Sequence, residues 1–200
     1  MQLIILVCLV AALLELDNVS FGQFGVGRPF VAGIILGFFM GNIGLGLQIG
    51  VLIELLFLDY IPVGGVLPPN GTVAVFAAVV AAGFGAPVYF AFFYGVVAGL
   101  IFKQIEFLTR NYIGKKLLEK NKELTEEPLK AIKVFMISSL TLQIVLNFAF
   151  LMFVVFAAKT VLYYGQDVHE RIHFAFRTAY IAVPWMGIFI LLRKFTEKAG

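Results

Sequence analysis

Residues 50–71 read GVLIELLFLDYIPVGGVLPPNG, and this stretch decides the architecture of the chain. Its first part is apolar apart from Glu54, whereas residues 59–71 contain three prolines and three glycines. Proline lacks a backbone donor and glycine weakens a helix interior, so no helix continues through residues 59–71. The flanks are apolar enough for the bilayer, where irregular backbone persists only against protein or a water-filled cavity. The stretch therefore predicts a turn or re-entrant loop at or near membrane depth, of the kind that borders transporter solute sites.

The composition of the whole chain is that of a membrane protein. Of its 200 residues, 61% are hydrophobic and 14% are charged, whereas soluble domains carry roughly 25% charged residues. Too few polar groups are present to cover a water-soluble globule. This excludes a cytosolic enzyme and a disordered tail, and the single cysteine, Cys8, excludes an internal disulfide.

Apolar runs recur along the chain, and several are interrupted before they reach the length of about 20 residues that spans a bilayer. We therefore predict an all-α, polytopic membrane helical bundle with broken or re-entrant half-helices. The first run has no basic residues before it and no small-residue cleavage site after it, so we expect a retained helix rather than a signal peptide. The predicted segments are 2–14, 29–41, 44–58, a hairpin over 72–102 broken at 83–87, 134–158 and 174–192.

Glycines that recur every four residues predict close packing between helices. On a helix they share one face and let a neighbouring backbone approach, which matters where lipid supplies no hydrophobic drive for association. We interpret them as packing positions. The repeats are Gly33, Gly37 and Gly41, then Gly46 and Gly50, then Gly95 and Gly99.

Positive charge is concentrated between the apolar segments. Residues 103–133 carry eight lysines or arginines against five acidic residues. Because a basic excess marks cytoplasmic loops, we divide the chain into an N-terminal membrane half (1–102), a cytoplasmic charged segment (103–133) and a C-terminal membrane half (134–200). The basic tail places the C-terminus in the cytoplasm too. The basic segment, with only Phe107 and Tyr112, offers no interleaved aromatic surface, so no nucleic-acid partner is expected.

Four polar residues are candidates for binding a solute. A charged side chain inside the bilayer costs at least ~2.5 kcal/mol, so Glu54 is expected to face the bundle interior or a hydrated cavity. Gln48, Asp59 and Asn70 lie near it or border the loop, and carboxylates and amides pair well with adjacent hydroxyls of a neutral polyol. Two alternatives stay open. Glu54 can be a neutral, hydrogen-bonded acid that joins two helices, and Asp59 can be a solvated interfacial residue.

Residues 169–173 read HERIH, which matches the His-Glu-x-x-His pattern of zinc metalloproteases. Two imidazoles one helical turn apart can bind zinc, with Glu170 as the general base. A third ligand is needed, but Glu197 lies in the charged tail and Asp167 is too close in sequence to complete the site easily. We interpret the motif as an interfacial cluster and expect no metal and no cofactor. An intramembrane metalloprotease is the alternative.

The first 80 residues contain a longer pattern. An Arg28-Pro29 turn precedes a glycine-rich segment over 44–50, then Gly50-x-x-x-Glu54, then the Gly/Pro loop and an alanine-rich helix. This order resembles membrane subunit IIC of the mannose–fructose–sorbose family of the bacterial phosphotransferase system. The resemblance covers residues 15–80, and the rest of the chain only by hydropathy.

The resemblance implies a sugar-binding and translocating subunit in the inner membrane of a bacterium. By position, Glu54 matches the intramembrane glutamate of the family and Asn70 falls in its sugar-site loop. The implied partners are a sugar, a IID membrane subunit, a IIB phosphocarrier that phosphorylates the incoming sugar, the lipid bilayer and further copies in an oligomer. No phosphate rests on IIC, so no catalytic residue is expected. The alternative function is the substrate-binding membrane subunit of another small-solute transporter, such as a vitamin-type system.

Overall fold

A computed structural model describes residues 2–19, 24–60, 67–119, 128–164 and 170–197 of the protein. Within these residues the chain forms only α-helices, without a β-strand. The seven helices are α1 (Gln2–Val19), α2 (Pro29–Phe39), α3 (Ile43–Phe57), α4 (Gly71–Gly83), α5 (Val88–Glu119), α6 (Pro128–Tyr164) and α7 (Glu170–Glu197). The predicted all-α fold is confirmed.

Long and short helices have different roles in the bundle. Parts of α5, α6 and α7 are long and apolar enough to cross a bilayer (Val88–Lys116, Ile132–Tyr164 and Glu170–Thr196). In contrast, α2, α3 and α4 are apolar but have only 11, 15 and 13 residues. At about 1.5 Å per residue, none of these three spans a hydrocarbon core of about 30 Å. They are the predicted half-helices of a multi-pass membrane protein.

Helix ends extend beyond several of the segments that hydropathy predicts, including α6, which ends at Tyr164 rather than at residue 158, and α7, which covers Glu170–Glu197 rather than 174–192. The first helix continues past residue 14 to Val19, α5 continues through residue 102 to Glu119, and α6 begins at Pro128 rather than at residue 134. Hydropathy reports immersion in lipid, whereas lysine, glutamate, glutamine and leucine all favour helix in water as well. A helix can therefore continue beyond its apolar run and end at a helix-breaking residue such as proline.

The helices α2 and α3 form a tightly packed hairpin around the glycine repeat. A Cβ atom on Gly46 would overlap the carbonyl oxygen of Gly33 and lie 2.7 Å from the Cα of Gly37. A Cβ atom on Gly33 would likewise lie 3.2 Å from the Cα of Gly50. The hairpin turns at Gly41, whose φ of +76° favours glycine. Gly33, Gly37, Gly46 and Gly50 thus bring the two backbones together, whereas the predicted packing role of Gly41 is wrong, because α2 ends at Phe39 and Gly41 forms the turn.

The start of the charged segment, at Lys103 on α5, and the end of α7 lie at the same end of the bundle. Arg193 of α7 donates to both carboxylate oxygens of Asp59, at 3.1 and 3.2 Å, and Lys194 Nζ lies 3.6 Å from Asp59 Oδ1. On α5, Lys103 Nζ is 5.7 Å from the centre of the Tyr60 ring. We call this the basic end.

Two half-helices begin in the interior of the bundle. The backbone N–H of Asn70 donates to the carbonyl oxygen of Gly99 at 3.2 Å, about 16 Å along α5 from its first residue. A Cβ atom on Gly71 would lie 2.5 Å from Pro29 Cγ, so the first residues of α2 and α4 meet. The helix α4 is the core of the bundle, since every residue from Thr72 to Ala81 is buried. Two positive helix N-termini are thereby presented inside the bundle.

Candidate functional site

A cleft of about 670 Å³ lies on the basic-end side of the two helix N-termini. Pocket volumes of 300–1,000 Å³ are typical of small-molecule sites, by an order-of-magnitude comparison. Its apolar wall includes Phe57, Tyr60, Leu67 and Phe107. Its polar wall consists of Glu15, Arg28, Glu54, Asn70, Glu106, Arg110 and Asn111.

Glu54 supplies the hydrogen-bond acceptor that the N-terminus of α2 otherwise lacks. Arg28, which precedes α2, makes no side-chain capping bond, whereas Glu54 Oε2 accepts from the Phe30 N–H at 3.1 Å. Glu54 Oε1 lies 3.8 Å from Arg28 Nε, and the Glu54 side chain is 25% exposed. The carboxylate is therefore stabilised by a helix N-terminus and a guanidinium group while part of it faces the cleft. The Glu54 carboxylate therefore both joins α3 to α2 and lines the cleft.

Asn70 holds three elements together at the floor of the cleft. Its Oδ1 accepts from the Val73 N–H at 3.0 Å and caps α4. Its Nδ2 donates to Glu15 Oε1 on α1 at 2.5 Å. Both Asn70 and Glu15 are buried, with 6% and 5% exposure. The amide thus fixes the position of a second carboxylate beside Glu54.

The segment before α2 is fastened by buried polar contacts. Asp17 accepts from the N–H groups of Phe24 at 2.8 Å and Gly27 at 3.1 Å. The fully buried Thr72 donates to the Gly27 carbonyl oxygen at 2.7 Å. These bonds tie the end of α1 and the start of α4 to the turn that carries Arg28. The Arg28 side chain itself is 66% exposed at the cleft.

The other two predicted sugar ligands lie elsewhere. Gln48 Nε2 donates to Tyr180 Oη at 2.9 Å, on the side of α3 that faces α7. Asp59 is held at the basic end by Arg193. Of the residues that the structure describes, neither lines the cleft. Their roles as sugar ligands stay predictions. Residues 61–66, the middle of the predicted turn or re-entrant loop, lie outside the described residues.

Five polar lining residues were not site candidates on sequence grounds: Glu15, Arg28, Glu106, Arg110 and Asn111. Glu15 meets the criterion used for Glu54, an acid in an apolar helix, but the prediction ends the first helix before it. Glu106 and Arg110 fall in the predicted charged segment. They lie one turn apart on α5, with Arg110 Nη2 2.6 Å from Glu106 Oε1. Residues 103–119 are rich in residues that favour helix, and this composition predicts a longer α5 that includes Glu106 and Arg110.

His173 lies at the end of the bundle opposite the basic end. Its Nδ1 is 2.9 Å from Tyr89 Oη, and its ring packs edge-on against Phe90 with centroids 4.9 Å apart. His169 lies outside the described residues. In the described part of the chain, no three His, Cys, Asp or Glu side chains form a metal-binding group.

We expect His173→Ala to leave sugar uptake unchanged, because its contacts are made at the far end of α5 from the cleft. Uptake by cells that express the variant, normalised to the amount of protein in the membrane, checks this. Stoichiometric zinc in the purified wild type that is lost in His173→Ala would instead revive the metalloprotease interpretation.

Comparisons with known proteins agree with the fold and identify the family. One solved structure, described as a membrane protein, has a TM-score of 0.82 at 18% identity and is matched over 98% of this chain and 80% of its own. The mannose transporter ManYZ, solved by cryo-EM in complex with microcin E492, has a TM-score of 0.64 at 18% identity, over 97% of this chain and 78% of its own. At these identities the structures show the fold alone.

The family assignment comes from the sequence. No curated protein matches the chain. The family described as the sorbose-specific IIC component of the phosphotransferase system matches residues 1–199, which confirms the resemblance found in residues 15–80 and extends it over the chain. The chain therefore belongs to the sorbose-specific IIC component family of the phosphotransferase system.

Proposed function

We propose that this chain binds a sugar of the mannose or sorbose type in the cleft and translocates it as the IIC subunit of a phosphoenolpyruvate-dependent phosphotransferase system. One observation carries the proposal. Two carboxylates, Glu15 and Glu54, lie with the Asn70 amide around the N-termini of two half-helices, in a cleft within a membrane bundle. Many transporters place their substrate site where discontinuous helices meet inside the bundle.

The lining of the cleft has the chemistry that a neutral sugar needs. Carboxylate oxygens accept hydrogen bonds from adjacent hydroxyls, and the exposed Arg28 guanidinium donates several. Phe57, Tyr60 and Phe107 offer apolar faces to the C–H side of a sugar ring. In the lining, Arg28 is paired with Glu54 and Arg110 with Glu106. The cleft therefore lacks the strong positive field that would favour an anionic substrate.

The direction of the cleft suits coupling to a phosphocarrier. The cleft lies toward the basic end, which we place in the cytoplasm because of the charge excess in residues 103–133. A soluble IIB subunit can therefore reach the bound sugar from that side, and no residue of this chain has to carry the phosphate. The exposed apolar faces of α6 and α7 are covered by lipid, a IID subunit or further copies in this proposal. No feature of the cleft specifically favours the vitamin-type alternative.

Reconstituted uptake tests this function. Cells that lack their own mannose-type system, and that express this chain with cognate IIA, IIB and IID subunits, are expected to accumulate a hexose as its phosphate ester. Omitting this chain should abolish accumulation while the phosphocarriers are still phosphorylated. Equal accumulation with and without the chain, for every hexose tried, would contradict the proposal.

Asn70 substitutions separate capping from sugar binding. Asn70→Ala removes both the α4 cap and the bond to Glu15, so we expect a loss of about 1 kcal/mol of stability and weaker sugar binding. Asn70→Ser retains a capping oxygen but is too short to hold Glu15 in place. It should recover stability without recovering affinity. Thermal unfolding and equilibrium binding of labelled sugar measure the two effects, and normal affinity in both variants would show that Asn70 acts only on the fold.

A further inference from the structure

A second cavity, of about 30 Å³ and lined by both apolar and polar residues, lies between α1, α5 and α6 on the other side of Glu15. A volume above roughly 10–15 Å³ admits a water-sized guest. Glu15 and Glu106 line both this cavity and the cleft. The polar residues of the small cavity are Glu15, Glu106, Thr109, Gln143 and Asn147.

Asn147 points to a guest in this cavity. The residue is 4% exposed, and its Oδ1 is buried without a hydrogen-bond partner, the one such side-chain atom among the residues that the structure describes. Buried acceptors in folded proteins are almost always paired. An acceptor left open beside this cavity is therefore explained by something bound there.

The cavity lining includes several oxygen atoms that can act as ligands. Thr109 donates its hydroxyl proton to the Ile105 carbonyl oxygen at 2.8 Å, so its Oγ1 has only lone pairs left for the cavity. Glu15 and Glu106 add carboxylate oxygens, and Asn147 adds its Oδ1. Gln143 contributes both donors and acceptors. A water molecule donates only two hydrogen bonds, whereas a cation is coordinated by several oxygens at once.

We propose that this cavity is a binding site for a monovalent cation such as Na⁺ or K⁺. Oxygen ligands from carboxylate, amide and hydroxyl groups suit such hard ions. The space leaves no room for the hydration waters that Mg²⁺ retains. Glu106 is already bonded to Arg110 at 2.6 Å, so the charge of the remaining lining suits one positive charge rather than two.

The ion site is linked to the cleft through Glu15. The carboxylate lines the small cavity, while its Oε1 accepts from the Asn70 amide on the floor of the cleft. An ion that fixes the position of Glu15 therefore orders the cleft. Because coupling between sites is reciprocal, a bound sugar increases the affinity for the ion. This link rests on the proposed function, whereas ion binding itself does not.

Thermal unfolding of the purified full chain in detergent tests the ion site. The three solutions are NaCl, KCl and choline chloride at the same ionic strength, about 0.15 M, since choline is too large for the cavity. NaCl or KCl is expected to raise the Tm by about 3 °C or more over choline chloride, with saturation at high salt. Asn147→Leu and the nearly isosteric Thr109→Val should lose this difference.

The matched control is Thr141→Val on α6. The Thr141 hydroxyl also donates to a carbonyl oxygen four residues back, at 2.9 Å, but it is exposed and away from the cavity. This variant should keep the full salt difference. Equal Tm values in all three salts, or a difference that persists in Thr109→Val, would overturn the proposal and leave water as the guest. If Asn147→Leu does not fold, Thr109→Val decides alone.

Sugar affinity tests the link separately. Hexose binding is expected to be at least 3-fold tighter in the stabilising salt than in choline chloride, within the usual range of coupling between sites. A Tm difference with equal hexose affinity would overturn the link and retain the ion site. A Tm difference with no hexose binding in any salt would count against the proposed function instead.

Discussion

Glu54→Gln is expected to lower sugar affinity and uptake about 10- to 100-fold, because a hydrogen bond to a charged group contributes about 1.5–3 kcal/mol. Glutamine still has an oxygen that can accept from the Phe30 N–H, so the cap on α2 and the hairpin should persist. What is lost is the negative charge that faces Arg28 and the second acceptor oxygen that a sugar hydroxyl needs. The measurement is binding of labelled hexose to purified protein, together with uptake in cells.

The control for Glu54→Gln is Glu170→Gln, the same change at an exposed position in the first turn of α7. It lies at the opposite end of the bundle and should leave binding unchanged. Membrane insertion and the elution profile of both variants should match the wild type. Wild-type affinity in Glu54→Gln would show that the carboxylate has only the structural role of joining α2 to α3.

Gly46→Val is expected to prevent formation of the α2–α3 hairpin. The added Cβ would overlap a backbone carbonyl oxygen of the facing helix, and no side-chain rotation relieves a clash with backbone. We expect the free energy of unfolding to fall by more than ~4 kcal/mol, a loss typical of severe overlaps in a protein core, and therefore little folded protein. Size-exclusion chromatography of the detergent-solubilised protein measures the folded fraction.

Gly44→Val is the matched control on the same helix. A Cβ there would meet only Asn42 Oδ1, at 3.8 Å. Both changes place the same β-branched residue on α3, so their difference isolates the packing of the two backbones. Equal yields of folded protein from the two variants would contradict the account of the hairpin.

The fold was predictable from sequence because the bilayer constrains it strongly. Apolar runs interrupted by glycine and proline leave few alternatives to half-helices, and the four-residue glycine spacing already indicates which faces pack. The ends of α5 and α6 were not predictable from hydropathy, since residues 103–119 favour helix without favouring lipid.

The site was predictable only in part. Glu54 stands out as an acid in an apolar run, and Asn70 precedes a helix. The bond between Glu15 and Asn70 joins residues 55 positions apart, which no local pattern reveals. Gln48 is different, because six residues of α-helix rotate it about 120° away from Glu54, so helix geometry alone disfavours both facing one cleft.

The most direct test is a cryo-EM structure of the chain with its partner subunits and a saturating concentration of the hexose that binds best. The account predicts density for one sugar in the cleft, within hydrogen-bond distance of Glu54 and beside Asn70. Sugar density at another place in the bundle, with these two residues in dry contact with protein alone, would contradict it.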